Sequence, residues 1–184
     1  ITVTVTDVNE APAFTSNATF SAAENQTAIG TVAATDVDGD TITYSISGSD
    51  ITIISSSGVI DFASAPDYET KTSYTATVTA SDGTNSTTQA ITVNVTDVNE
   101  APAFTSSATF SAAENQTAIG TVTATDADGD SVTFTVSGSD ITINSSSGVI
   151  AFASAPDYET KSSYTATVTA SDGTNSTTQA ITVN

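Results

Sequence analysis

The side chains able to do chemistry in this chain are carboxylates, and they recur in short motifs. These are DVNE at 7–10, AEN at 23–25, DVDGD at 36–40, PDYE at 66–69 and SDG at 81–83. Each returns 90 residues later, with DADGD in place of DVDGD. Of 21 Asp and Glu, only Asp50, Asp61 and Asp140 lie outside these motifs. Two Lys oppose them, with no Arg, His, Cys, Met or Trp, so the net charge is −19. Carboxylates held a few Å apart repel one another. They must protonate, splay apart or bind a cation.

The donor set selects the cation. Carboxylates, an Asn amide and backbone carbonyls are hard oxygen ligands of flexible geometry, which suits calcium. Zinc would want His or Cys, and magnesium keeps its waters. The competing reading is a set of solvated acidic loops without an ion. An EF-hand loop is excluded. Counted from Asp36, it needs Gly at position six and Glu at position twelve, where Thr41 and Ser47 stand. Asp67 and Glu69 could be imagined as a glycosidase acid and base. Nothing around them supplies the other groups catalysis draws on, so the chain is read as no enzyme. The acidic balance also argues against nucleic acid and anionic membrane surfaces as partners.

The elements that position these acids are β-strands. Residues 73–80 (SYTATVTA) alternate at period two, with Tyr74, Ala76, Val78 and Ala80 inward and Thr75, Thr77 and Thr79 outward. Residues 86–96 place Ile91, Val93 and Val95 inward. Further runs at 28–35, 41–47, 50–54 and 58–63, with an irregular first strand ending near Glu24, give seven strands, A to G. Residues 1–94 align with 91–184 without a gap and differ at 12 positions. The expected fold is therefore all-β, as two tandem seven-stranded Greek-key β-sandwiches. The expected divisions are 1–10 (end strand and linker of a preceding repeat), 11–97 (domain 1), 98–102 (calcium-binding linker) and 103–184 (domain 2). Both ends read as cuts through a longer array.

Counting strands that reverse at each turn sends A, C, E and G to one end of a sandwich and B, D and F to the other. Glu24, Asp67 and Glu69 then share the lower end of the first repeat with the linker Asp97, Val98, Asn99, Glu100 and Ala101. Asp126, Asp128 and Asp172 share the upper end of the second. The expectation is one acidic junction around TDVNEAP.

At this point the motifs resemble the cadherin repeat, over nearly the whole chain. AENQ is similar to the Pro-Glu-Asn segment, PDYE to Asp-x-Glu, TDADGD to Asp-x-Asp, TASDG to Ala-x-Asp, and TDVNEAP to the Asp-x-Asn-Asp-Asn-Ala-Pro linker. The linker is one residue shorter than that pattern, with Glu100 where Asp-Asn would stand, and Ala23 replaces a Pro. The resemblance implies calcium ligands at the junction (Glu24, Asp67, Glu69, Asp97, Val98, Asn99, Glu100, Ala101, Asp126, Asp128, Asp172). It implies a partial upper set at Asn9, Ala11, Asp36, Asp38 and Asp82, and a partial lower set at Glu114, Asp157 and Glu159. Asp130 is left open as an extra ligand or a turn residue. The implied function is a calcium-rigidified extender of a bacterial cell-surface adhesin, extracellular, with adjacent repeats as partners and the fragment itself monomeric. The alternative is a cadherin-like binding module for polysaccharide or a partner domain. Without calcium the domains are expected to stay folded and to swing about residues 97–102.

Overall fold

The computed structural model describes all 184 residues, and it contains strands and turns but no helix. The chain divides into two compact units, Ile1–Val98 and Asn99–Asn184.

In the first unit, β1 (Ala13–Phe14), β2 (Thr19–Ala23), β3 (Ala28–Thr31), β4 (Ala34–Thr35), β5 (Thr43–Ile46), β6 (Ile51–Ile53), β7 (Val59–Phe62), β8 (Ser73–Ser81) and β9 (Ser86–Thr96) follow in order. One sheet runs β2-β9-β8-β5, the other β3-β7-β6, and β1 pairs with β4. The expected seven strands are present, but A and B are each broken in two. Strand A first pairs with B (Ala13↔Thr35) and then crosses to run parallel with G (Thr19↔Thr92 to Ala23↔Thr96). The Ala33 carbonyl accepts from the N–H groups of Thr15 and Ser16 at the crossing. All other pairings in the unit are antiparallel. A and G therefore end at the same pole, as strand counting required.

The alternation read in the sequence becomes burial. Val78, Ala80, Ile91, Val93 and Val95 are buried, together with Val32, Ile51, Ile60 and Phe62. Removing their apolar surface from water drives the two sheets together. The outward rows are hydroxylated: Thr75 faces Thr92, and Thr79 faces Thr88. β-branched Thr pairs suit this half-solvated surface. Gly58 marks where the sheets close. Its φ is +72°, and a Cβ there would lie 2.1 Å from the Val32 carbonyl oxygen.

The second unit repeats the plan with β10 (Ala103–Phe104), β11 (Thr109–Phe110), β12 (Ala118–Thr121), β13 (Ala124–Thr125), β14 (Thr133–Val136), β15 (Ile141–Ile143), β16 (Val149–Phe152), β17 (Tyr164–Ser171) and β18 (Ser176–Val183). Its sheets are β11-β18-β17-β14 and β12-β16-β15, with β10 on β13. The parallel pairing is shorter here, only Thr109↔Thr182 and Phe110↔Val183.

Candidate metal centres

The lower pole of the first unit is built on Glu24. It comes directly after β2, where Asn25 turns the chain with φ +62°. Its N–H donates to the Thr96 carbonyl at 3.1 Å. Its side chain folds inward, and the residue is only 3% exposed. Glu24 Oε2 accepts from the N–H of Tyr68 at 2.8 Å, and Oε1 accepts from that of Val98 at 2.8 Å. Charge-assisted bonds of this kind fix the position of a carboxylate in a buried place. Ligand oxygens of Glu24, Asp67 and Glu69 lie within 4.8 Å of one another. Asp67 is fixed by the Thr70 N–H and hydroxyl, both at 3.0 Å.

The upper pole of each unit is built on the DxDGD turn, the turn between the two longest strands, and the residues Asn-Glu. In the first unit, Asp36 Oδ1 accepts from the N–H groups of Asp38 and Asp40. Gly39 completes this turn with φ +80°, a conformation open to glycine. Asp38 Oδ2 accepts from the Glu10 N–H at 3.0 Å, and Asp82 Oδ2 accepts from Asn9 Nδ2 at 2.9 Å. In the second unit, Asp128 Oδ2 accepts from the Glu100 N–H at 2.9 Å, and Asp172 Oδ2 from Asn99 Nδ2 at 2.9 Å. Asn99 Nδ2 also donates to the Glu100 carbonyl at 3.0 Å, so its amide oxygen is the atom left to meet a cation. Asp40 and Asp130 donate their own N–H groups into the turns, to Asp36 and Asp126. Ala11 and Ala101 are exposed and lead into the buried Pro12 and Pro102.

The electrostatics reflect this geometry. The N–H groups of Asn85 and Thr84 pull the Asp82 carboxyl below its usual range, with Asn9 adding to them against the opposing effect of burial. Burial pushes Asp172 upward, but donors from Asn99, Asn175 and Thr174 outweigh it and the net direction is down. Glu10 moves the other way. Burial raises it, and the neighbouring Asp38 and Asp7 charges raise it further.

The lower pole of the second unit gathers Glu114, Asp157 and Glu159, with ligand oxygens again within 4.8 Å. All three residues are exposed there. Glu114 Oε2 accepts from the Tyr158 N–H at 3.1 Å.

These residues fit a calcium ion. Asp36 Oδ2 and Asp126 Oδ2 are shut off from solvent and accept no hydrogen bond. A buried carboxylate oxygen without a partner is costly and calls for a cation. Neither ammonium supplies one. Lys71 Nζ pairs with Asp50 at 2.8 Å and lies 3.9 Å from the Tyr74 ring centre, and Lys161 pairs with Asp140. The acids outside the motifs thus take up both positive charges.

Three contributors are not evident in the sequence motifs. Asn85 Nδ2 donates to the Asn9 carbonyl at 2.8 Å, and Asn175 Nδ2 to the Asn99 carbonyl at 2.7 Å. The Tyr68 N–H anchors Glu24. A signal exists for the Asn pair, since each ends the SDGTN turn three residues after its Asp.

Comparison with known proteins gives the same picture. The cadherin domain model matches residues 18–96 and again 108–184. The chain is 34% identical over 194 residues to the Mus musculus protein "Cadherin EGF LAG seven-pass G-type receptor 1", and 35% identical to the Homo sapiens receptor 2. Each alignment covers 94% of this chain but only 6% and 7% of those relatives. The fold is similar to human protocadherin-24 EC1-2, at TM-score 0.65 and 22% identity over 96% of this chain and 98% of that one. Human CDH23 EC21-23 is similar at TM-score 0.63 and 24% identity, over 98% of this chain and 66% of that one. With one match in each repeat and the same acidic motifs at both, the chain belongs to the cadherin domain family, as two tandem copies.

Proposed function

We propose that this chain is a calcium-rigidified extender segment of a cell-surface adhesin, extracellular, whose partners are calcium and the neighbouring repeats. The observation that carries the reading is the pair of orphaned, buried carboxylate oxygens on Asp36 and Asp126, set in poles that hold no lysine side chain. Bound calcium would supply positive charge and accept several oxygen ligands at once. Glu24, Asp67 and Glu69 offer carboxylates from one pole. Asp126, Asp128 and Asp172 offer them from another, and Asp97, Asn99, Glu100 and the Ala101 carbonyl offer ligands from the linker.

The chain's own residues do the rest. The backbone N–H groups of Tyr68 and Val98 hold the Glu24 carboxylate in place and aimed. Those of Thr84 and Asn85 do the same for Asp82. The core of each unit excludes water from one side of its pole. Calcium that binds the ordered linker better than the disordered one stabilises order by RT ln(1 + [Ca]/Kd). Extracellular modules of this kind have Kd of about 0.1–1 mM, so the segment would stiffen outside a cell. A bacterial parent is part of this proposal. It draws on the resemblance of the motifs to bacterial cadherin-like tandem domains, while the relatives compared above are animal proteins.

Calorimetric titration with calcium tests the reading. Saturable binding that weakens in Asp97→Ala and in Glu24→Ala is the expected outcome. No calcium heat in the unaltered chain would remove the proposal. Weakening by Asp7→Ala alone would move the principal site to the other end.

A further inference from the structure

Each unit holds one lysine, and that lysine closes the loop that carries two of the candidate ligands. In the first unit the loop spans residues 63–72, between β7 and β8, and bears Asp67 and Glu69. Asp50, which directly precedes β6, binds both ends of it. The Asp50 carbonyl accepts from the Ala63 N–H at 2.8 Å, and its carboxylate accepts from Lys71 Nζ at 2.8 Å. Lys71 also reaches the ligand residue directly, because its N–H donates to the Asp67 carbonyl at 2.9 Å. Its Nζ lies 3.9 Å from the centre of the Tyr74 ring. That ring meets Phe62 edge-on at 5.0 Å. Phe62 ends β7 and Tyr74 lies in the first turn of β8 pairing, so the two rings close the base of the loop.

The second unit builds the same closure around residues 153–162. The Asp140 carbonyl accepts from the Ala153 N–H at 2.8 Å, and its carboxylate accepts from Lys161 Nζ at 2.6 Å. The Lys161 N–H donates to the Asp157 carbonyl at 2.9 Å. Its Nζ lies 4.2 Å from the Tyr164 ring centre, and Phe152 meets that ring at 4.9 Å. The closure is the same although the glutamates beside it differ, Glu24 being buried and Glu114 exposed. It therefore belongs to the sandwich and does not depend on how that glutamate is seated.

We infer that Lys71 and Lys161 are positioning residues for the candidate calcium ligands of these loops, latched by Asp50 and Tyr74 in one unit and by Asp140 and Tyr164 in the other. The inference rests on the calcium reading for what the loops hold, and not for how they are held. It runs against the simplest electrostatic expectation. An ammonium near a carboxylate-rich loop repels an incoming cation, so its field by itself would weaken calcium binding. Here each ammonium is paired with an acid from outside the motifs, and its reach closes the loop. An exposed ion pair contributes little on its own, and this one is half exposed, at 46% for Lys71 and 55% for Asp50. The ring adds a cation–π contact. The backbone bonds at Ala63 and Asp67 bind the same two residues to the loop. A loop ordered in advance loses less affinity when its ligand arrives.

Lys71→Met tests this, because it keeps an unbranched apolar stem beside the Tyr74 ring and removes the charge. Amide hydrogen exchange in chelator reads the loop without calcium. The N–H groups of Thr70 and residue 71 should exchange about two- to fivefold faster in the variant, the range set by an exposed pair with a ring contact. Calcium affinity, followed at the Thr70 N–H resonance, should weaken by a similar factor. Lys71→Arg should restore both, since a guanidinium pairs with a carboxylate and stacks on an aromatic ring. Lys161→Met should loosen residues 153–162 in the same way and leave Thr70 unchanged. Tighter calcium binding in Lys71→Met would mean that the ammonium acts through its field alone, and would overturn the inference. Unchanged exchange at Thr70 and residue 71 would overturn it as well. Faster exchange in Lys71→Met, in a chain that binds no calcium, would remove the proposed function and leave the latch standing.

Discussion

The two lower poles carry the same residues and are built differently. Glu24 and Glu114 sit in identical AENQ motifs and face identical PDYE motifs. Glu24 is buried and accepts from two backbone N–H groups, while Glu114 is exposed and accepts from the Tyr158 N–H. Strand β2 is five residues long and its counterpart β11 only two. Tyr158 is 63% exposed, where Tyr68 is half-buried. In the first unit Val95 fills the core, Thr96 pairs with Ala23, and Val98 reaches Glu24. The lower pole of the first unit is thus completed by the chain that leaves it.

The comparison can be probed from the largest effect downward. Gly58→Ala and Gly148→Ala should destabilise their units about equally, by about 3 kcal/mol. Each would force a positive φ and press a Cβ to 2.1 Å from a carbonyl oxygen. Unit-resolved hydrogen exchange would read this, and unequal losses would mean that the sandwiches differ beyond their poles. Next, Glu24→Ala should cost the first unit about 2–3 kcal/mol by orphaning the Tyr68 and Val98 N–H groups. Glu114→Ala should cost the second unit far less, because its site is solvated; equal losses would erase the contrast.

Smaller still is the change at Tyr44, whose hydroxyl accepts from the Ala34 N–H at 2.9 Å. The second unit has Phe134 in that place. Tyr44→Phe should cost about 1 kcal/mol in denaturant unfolding, and no cost would show that water replaces the bond. The smallest effect is with pH. Asp82 and Asp172 are both held below their usual range. The stability they contribute is full above their unfolded pKa of about 4 and is lost as pH falls through the lower folded value. Asp82→Asn or Asp172→Asn should flatten that acid limb for its own unit, and an unchanged limb would dissociate those bonds from stability.

The regular parts of the fold are legible in the sequence. Strands F and G can be read because Thr alternates with Val, Ile and Ala over eight or more residues, and burial keeps that parity. The shared destination of strands A and G comes from counting reversals, and the parallel pairing of Thr19–Ala23 with strand G agrees with it. The breaks in A and B are not legible. Residues 28–35 read as one run, yet Ala34–Thr35 leaves the sheet of Ala28–Thr31 to pair with Ala13–Phe14. No Pro marks that change; only the opposite sheet decides it. The five acidic motifs identify the candidate ligands, because carboxylates are conspicuous in a chain with two cations. The amide clamp is hidden, because Asn85 and Asn175 sit among Ser and Thr where polarity is ordinary. Their partners are 76 residues away.

Small-angle scattering of the chain in saturating calcium and then in chelator tests the central claim most directly. A narrower distribution of dimensions with calcium, reversed by chelator and abolished by Asp97→Ala, is the expected result. Identical scattering in both conditions, together with no calcium heat, would contradict the calcium-rigidified extender.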